Sequence, residues 1–86
     1  MTPERAQLIQ DLARIEVANI VLQRAEHDAE GNFARRHSMK HRHDAQSDAW
    51  CVRVCAAQFD PHEEAEFQRV RAEFRALLAT ATGEPR

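Results

Sequence analysis

The residues best suited to bind an anion lie together in one short stretch, Arg35–His43, which we call the basic segment. Seven of its nine residues are arginine, lysine or histidine, and none is acidic. The segment carries a formal charge of +4 with neutral histidines, although the whole chain carries −2. Such a cluster either binds an anionic partner or forms a solvated face. The residues predicted to contact a partner are Arg35, Arg36, Lys40, Arg42, His43 and, further along the chain, Trp50.

Two classes of partner compete for the basic segment. The sequence pI of about 6.2 lies far below that of a typical basic nucleic-acid-binding domain. No aromatic residue interleaves the cations, which disfavours stacking on single-stranded nucleic acid. We therefore expect an acidic protein surface as the partner, with nucleic acid or a phosphorylated ligand as the alternative. Binding to either class should weaken as salt is added.

Six potential metal ligands follow one another at a spacing of 4-3-4-3-4 residues, and we call them the ligand row: His37, His41, Asp44, Asp48, Cys51 and Cys55. On one helix, the histidine pair could chelate one ion and the cysteine pair another. The two pairs cannot share an ion along a straight helix, because 14 residues, or about 21 Å, separate them. A shared site needs another chain or a fold-back at Ser47. We therefore predict no metal and no other cofactor; if a metal is bound, His37, His41, Cys51 and Cys55 are the candidates.

The two thiols have a simpler interpretation. Cys51 and Cys55 lie in an apolar stretch, where we expect them to be reduced and to pack as small buried hydrophobic groups. Trp50, the only tryptophan, either anchors the core or serves as an interface anchor, since tryptophan is enriched in binding hot spots. No catalytic motif is recognisable, and three short helices leave little room for a pocket. We predict that the chain is not an enzyme.

The first element that must position these residues is a long helix. Thr2 is a suitable N-cap and Pro3 suits the first helical position. Gly31 is a suitable stop and Asn32 can cap the next helix. These signals predict a helix over Pro3–Glu30. Its apolar residues form two arcs instead of one stripe, which indicates two packing partners.

The third helix has the clearest start. Asp60 is predicted to cap it, Pro61 to occupy the first position, and Glu63 to reach back to the cap. The segment Phe33–Gln58 between the two is predicted to be a helix with an exposed first half and a buried, largely apolar second half. A break near Ser47-Asp48 is the alternative. Ala45, Ala49, Val52, Ala56 and Phe59 form one apolar stripe at helical spacing, and Trp50 and Val54 lie on the opposite side.

The predicted fold class is all-α, an antiparallel helical hairpin with a shorter third helix packed along it, in a single domain over residues 1–86. A chain of this size buries a small core, and oligomerisation is a common remedy. Apolar residues on several sides of the first two helices lead us to expect a homo-oligomer, with a two-fold dimer favoured. No long apolar run and no signal-peptide pattern is present, so we expect a cytoplasmic protein that does not contact membranes.

These observations predict a small non-catalytic protein-interaction module that docks an acidic surface through the basic segment. In size, helicity and lack of catalytic groups the chain resembles small bacterial or phage accessory proteins, inhibitors or adaptors of a larger machine, although no motif carries this resemblance. One alternative is an oligomeric protein that binds phosphate, a nucleotide or nucleic acid. The other is a His/Cys metal-binding protein.

Overall fold

Three helices make up the described part of the chain, residues 1–29 and 31–81 of a computed structural model. They are α1 (Pro3–Asp28), α2 (Phe33–Ala57) and α3 (Pro61–Ala81), and no strand occurs in those two ranges. α1 packs against both of the other helices. The predicted all-α class with three helices is confirmed.

Side-chain contacts define the direction of each helix. Arg5, in the first turns of α1, lies 2.6 Å (Nε to Oε2) from Glu63 near the start of α3. The same guanidinium donates to the carbonyl oxygen of Ala57 at the end of α2, at 2.8 Å. Further along α1, Glu16 meets Arg71 of α3. α2 therefore runs antiparallel to α1 and α3 runs parallel to it; we call the end that holds Arg5 the core end and the opposite one the hairpin end.

The boundaries of α1 follow from its flanking residues. The hydroxyl of Thr2 accepts a hydrogen bond from the backbone N–H of Arg5 at 3.2 Å, as an N-cap does. The helix ends at Asp28, and Gly31 then adopts a φ of +92°. Glycine reaches this region without steric cost, which explains why the helix stops here. The predicted last residue, Glu30, lies outside the described residues.

α2 is one continuous helix. The side chain of Asn32 caps it by accepting from the N–H of Arg35 at 3.2 Å. The alternative of a break near Ser47-Asp48 was wrong, because neither residue interrupts the helical backbone. The Ser47 hydroxyl lies 3.4 Å from Nε2 of His43, one turn earlier, so its hydrogen bond stays within the helix. α2 ends at Ala57, and the C-cap residue Gln58 that follows has a left-handed φ of 48°.

The start of α3 forms the predicted capping box. The carboxylate of Asp60 accepts from the N–H of Glu63 at 2.8 Å, and the carboxylate of Glu63 accepts from the N–H of Asp60 at 3.1 Å. Each side chain thereby satisfies a backbone donor that the helix leaves without a partner. Pro61 is the first helical residue, where its missing N–H has no cost.

The buried core lies at the core end and joins α1 to α3. Around it pack partly buried side chains from all three helices and the α2–α3 loop, among them Trp50 and Val54 of α2. The Trp50 indole N–H donates to the carbonyl oxygen of Leu12 at 2.7 Å. This bond ties α2 to the middle of α1. The fully buried core residues are Ile9, Leu12, Ala13, Phe67 and Val70.

Of its two apolar sides, α2 turns the one with Trp50 and Val54 towards the core. None of the residues of α2, all of which are described, is fully buried. Trp50 and Val54 face the core, whereas the stripe of Ala45, Ala49, Val52 and Ala56 is exposed and Phe59 lies in the following loop. The indole of Trp50 is the largest side chain on either side of α2, and its N–H gains a hydrogen bond to Leu12 on the inward side.

The thiols are also exposed, so the prediction that Cys51 and Cys55 are buried was wrong. Both lie on the side of α2 that turns away from Trp50 and Val54. They are free thiols.

A buried ion pair completes the packing of α3 on α1. Glu16 is 8% exposed and lies 2.6 Å from Nη2 of Arg71 and 2.8 Å from Nε of Arg75. The Arg71 guanidinium also lies over the rings of Trp50 and Phe67, at 5.5 and 5.3 Å from their centroids. A charge this buried needs such partners, because an unpaired one costs several kcal/mol by typical estimates.

The two apolar arcs of α1 are explained in part by its central position. α1 packs against both α2 and α3, which supplies the two packing partners that two arcs require. Towards the hairpin end Val21 stays 49% exposed. Homo-oligomerisation, expected from the same arcs, stays a prediction. In the two described ranges no helix combines the length and apolarity needed to cross a bilayer.

Candidate functional site

The basic segment occupies the first half of α2 at the hairpin end. All four of its fixed cations are exposed. No acidic residue occurs in the first turn of α2. The positive end of the helix dipole lies there as well, and it adds to the field of the cations instead of opposing it. The segment is therefore a strongly electropositive surface on a chain of negative net charge. Its fixed cations are Arg35, Arg36, Lys40 and Arg42.

Those four cations lack ionic partners within the described ranges. Ion pairs form elsewhere in the molecule, for example between Arg69 and both Glu66 and Glu73, at 2.6 and 2.9 Å. Among the described residues, no carboxylate lies within 4.0 Å of a charged nitrogen of the four. Within the described ranges, most arginines of the core end are thus paired, whereas these four cations are left to solvent or to another molecule.

The cations are distributed around α2. At about 100° per residue, Arg35 and Arg42 lie along one outer edge of the helix. Arg36 points towards α1, where it lines an open cleft of about 570 Å³ beside Arg24, Glu26 and Asp28. Together with Lys40 and Phe33, Arg36 also lines a smaller cleft of about 300 Å³. A partner that engages all four cations must therefore wrap around the hairpin end instead of lying on one flat face.

His43 does not join this exposed surface. It is partly buried on the side of α2 that faces α1. Its Nδ1 lies 3.6 Å from the carboxylate of Asp44, and its Nε2 lies 3.4 Å from the hydroxyl of Ser47. These contacts place His43 at the edge of the helix packing. His43 is therefore less accessible to a partner than the four exposed cations are.

Trp50 lies in the packing between the helices. It is partly buried, its indole N–H is bonded to the carbonyl of Leu12, and its ring packs against Phe67 with centroids 6.3 Å apart. Of its two sequence interpretations, this position favours the core anchor. Trp50 therefore lies at the core end, in the second half of α2, whereas the basic segment lies in the first half.

Phe33 is a candidate contact residue that sequence reasoning passed over. Its side chain is 84% exposed at the first position of α2, and its ring stacks on that of His37 with centroids 5.8 Å apart. An exposed aromatic beside several arginines is a typical composition for the centre of a protein interface. The signal was in the sequence, since Phe33 lies two positions before the basic segment, but a lone aromatic at a helix start also suits a buried position.

Arg53 is a second residue outside the predicted set. It is exposed, it has no ion pair within the described ranges, and it lies on the same edge of α2 as Arg35 and Arg42. The 18 residues between Arg35 and Arg53 span about 27 Å of helix. The outer cationic edge is therefore longer than the basic segment.

The ligand row lies on another side of α2 and all six of its residues are exposed. Nε2 of His37 and Nε2 of His41 lie 3.0 Å apart and form a hydrogen bond with each other. Cys51 and Cys55 are free and lie further along the same face. Within one described chain, no three His, Cys, Asp or Glu side chains come close enough together to hold a metal ion.

The comparisons with known proteins give no relative from which a function could be transferred. No known protein family, curated protein or solved structure matches the chain. The arguments for its function therefore come from the exposed cations, the aromatic beside them and the ligand row.

Proposed function

We propose that this chain is a small non-catalytic interaction module, an inhibitor or adaptor, that docks an acidic surface of a larger protein through the hairpin end. The observation that carries the proposal is the set of four exposed cations of the basic segment, which have no carboxylate within ion-pair distance in the described ranges. A partner that supplies carboxylates would pair them.

Phe33 gives the surface an apolar centre. Arginine and aromatic residues carry most of the binding energy in protein interfaces, and exposed cations around them add orientation and association rate. Phe33 is 84% exposed and lies next to Arg36 and Lys40 at the same cleft. Burying this ring is favourable only against another molecule.

An acidic protein fits these features better than a nucleic acid does. The cations surround the helix instead of following one line, and Phe33 is the only exposed aromatic beside them in the described part of the chain. Single-stranded nucleic acid is usually held by several aromatics on which successive bases stack. The negative net charge of −2 also opposes binding to a long polyanion.

The experiment identifies the partner first. A photo-crosslinking phenylalanine analogue replaces Phe33 in the source cell, and cross-linked products are identified by mass spectrometry. The matched control carries the same analogue at Leu77, which is 60% exposed on α3. We expect a protein with an acidic surface to cross-link from position 33 and not from position 77. Cross-linking to nucleic acid, or no product beyond that of the control, contradicts the proposal.

Charge removal then tests the basic segment with the purified partner. We expect Arg35→Gln with Arg42→Gln to weaken binding about tenfold, equal to about 1.4 kcal/mol, because two interface cations are lost. The control, Arg14→Gln with Arg69→Gln, changes the net charge equally on other surfaces. An equal loss of affinity in both double variants would show a non-specific charge effect and would contradict docking at this site.

A further inference from the structure

The ligand row has a symmetry that one chain cannot use. His37 and His41 are separated by the same four positions as Cys51 and Cys55, and Asp44 and Asp48 lie at equal distances inside the two pairs. The six positions are thus symmetric about position 46. When two such helices pair antiparallel with position 46 at the centre, the histidine pair of each faces the cysteine pair of the other.

The histidine pair is already arranged as half of a metal site. The two Nε2 atoms lie 3.0 Å apart with the rings at 87°, and both rings are exposed. Two nitrogens of a tetrahedral zinc site with bonds of about 2.0–2.1 Å lie about 3.3 Å apart. Zinc would replace the hydrogen bond between the two Nε2 atoms, and the nitrogens would move apart by a few tenths of an ångström. Phe33 stacks on His37 at a centroid distance of 5.8 Å and supports this orientation.

The cysteine pair supplies the complementary half. Cys51 and Cys55 are exposed and free, and the unbroken helix places them on the face that carries His37 and His41. Both spacings fall within the separations found in zinc sites. Two thiolates and two imidazoles form the ligand set of a closed, tetrahedral zinc site.

We propose that two copies of this chain pair antiparallel through the face of α2 that carries the ligand row. The pair binds two zinc ions, and each ion is held by His37 and His41 of one copy and by the partner's Cys51 and Cys55. Each site is incomplete without the second copy, because about 21 Å of straight helix separates the two ligand pairs within one chain. On binding, each zinc ion displaces one proton from each of two thiols, and the imidazoles remain neutral.

The remaining residues of the row suit this arrangement. With Nε2 on the metal, each histidine has its Nδ1–H free to donate, and Asp44 lies one turn from His41. A carboxylate that accepts this hydrogen bond orients the ring in many zinc sites. The four carboxylates of the pair also repel one another, so the metal-free pair is weak and assembly depends on zinc.

The pairing leaves the edge of α2 that carries Arg35 and Arg42 open, whereas Phe33, which stacks on His37, lies on the paired side. Arg35 and Arg42 lie about 150° around α2 from the ligand row, at about 100° per residue. The dimer also covers Val52, which is 68% exposed and lies beside the row. This inference does not rest on the proposed function, since its test involves only copies of this chain.

The test uses the full chain without an affinity tag, reduced and freed of metal. ZnCl2 is added during light scattering, and CoCl2 in parallel, because tetrahedral thiolate-bound Co2+ absorbs visible light intensely. We expect a monomer without metal and a dimer with zinc, at one metal ion per chain. A chain that stays monomeric with zinc, or that binds metal as a monomer, overturns the proposal.

Two variants then divide the site. One carries His37→Ala with His41→Ala, and the other carries Cys51→Ser with Cys55→Ser. All four positions are exposed, so both variants should keep the helical circular dichroism of the wild type. Neither should give the thiolate–cobalt spectrum alone. Mixed in equal amounts, they should regain it at half the wild-type amount per chain, because a heterodimer holds one complete site. A mixture that regains nothing overturns the proposal, as does either variant that keeps the spectrum alone.

Discussion

At the residue scale, the carboxylate of Glu63 in α3 accepts from Arg5 of α1 and so joins these two helices at the core end. Glu63 accepts from Arg5 at 2.6 and 3.0 Å and from the N–H of Asp60 at 3.1 Å. The Arg5 guanidinium and this backbone N–H lower the pKa of Glu63 to about 2. Arg5 also donates to the carbonyl oxygen of Ala57. Its guanidinium therefore links the end of α2 to the starts of α1 and α3.

Acid should therefore weaken the fold through Glu63. Its pKa is lower in the folded chain than its usual 4.5, so its contribution is fully present above about pH 4.5 and is lost as the pH falls towards 2. We expect Glu63→Gln, which can keep the capping box but loses the charge, to lower the melting temperature at pH 7. The difference from the wild type should shrink between about pH 4.5 and 2.

Thermal unfolding followed by circular dichroism at several pH values measures this effect. The control is Glu64→Gln, at an exposed neighbouring carboxylate that binds only Gln68 at 2.7 Å. It should leave the melting temperature nearly unchanged at pH 7. A Glu63→Gln chain whose difference from the wild type stays constant between pH 7 and pH 2 would show that the charge of Glu63 does not stabilise the fold.

Trp50 allows its two interpretations to be separated by one substitution. Trp50→Phe keeps an aromatic ring but removes the N–H that donates to Leu12. We expect a loss of about 1 kcal/mol in the free energy of unfolding, the typical net value of one hydrogen bond. Urea unfolding followed by circular dichroism measures it. Unchanged stability together with weaker binding to the cross-linked partner would instead establish Trp50 as an interface anchor.

At the scale of the elements, α2 has two apolar sides and only one faces the core. Val52 and Val54 are separated by two positions and have the same side chain, yet Val54 packs on the core and Val52 is 68% exposed. The helical geometry turns them about 160° apart. Substituting each of the two valines therefore tests which side of α2 stabilises the fold.

We expect Val54→Ala to lower the free energy of unfolding by about 1 kcal/mol, since it removes partly buried methyl groups. Val52→Ala should change it by less than about 0.5 kcal/mol, as exposed substitutions usually do. Urea unfolding of both variants, with a chelator present to exclude metal-linked assembly, gives the two values. Equal losses would contradict the orientation of α2 described above.

The helix boundaries could be predicted from the sequence because local chemistry determines them. Thr2, Asn32 and Asp60 each accept the backbone hydrogen bond expected of a cap. The inward face of α2 could not be predicted, because Val52 and Trp50 lie on competing apolar faces and only the shape of α1 and α3 decides between them. The sequence also identified the basic segment but not the exposure of Phe33 beside it, because an aromatic at a helix start also suits a buried position.

At the scale of the whole molecule, the buried core and the exposed cations of the basic segment lie at opposite ends. The fully buried residues of α1 and α3 form the core end, together with three arginine–glutamate ion pairs between these two helices. The hairpin end has an open cleft of about 570 Å³ and the exposed cations of the basic segment. Binding surfaces are commonly drawn from the less stable part of a fold, where few apolar contacts restrict adjustment to a partner.

The position of Trp50 has a practical consequence for spectroscopy. The chain has one tryptophan and no tyrosine, so its ultraviolet emission arises from a single indole. That ring is hydrogen-bonded to Leu12 and lies beneath the guanidinium of Arg71. Unfolding transfers it to water and shifts its emission to longer wavelengths, whereas a ligand at the basic segment leaves its surroundings intact. The native chain thus carries an intrinsic probe of its core that needs no label and stays readable while the hairpin end is occupied.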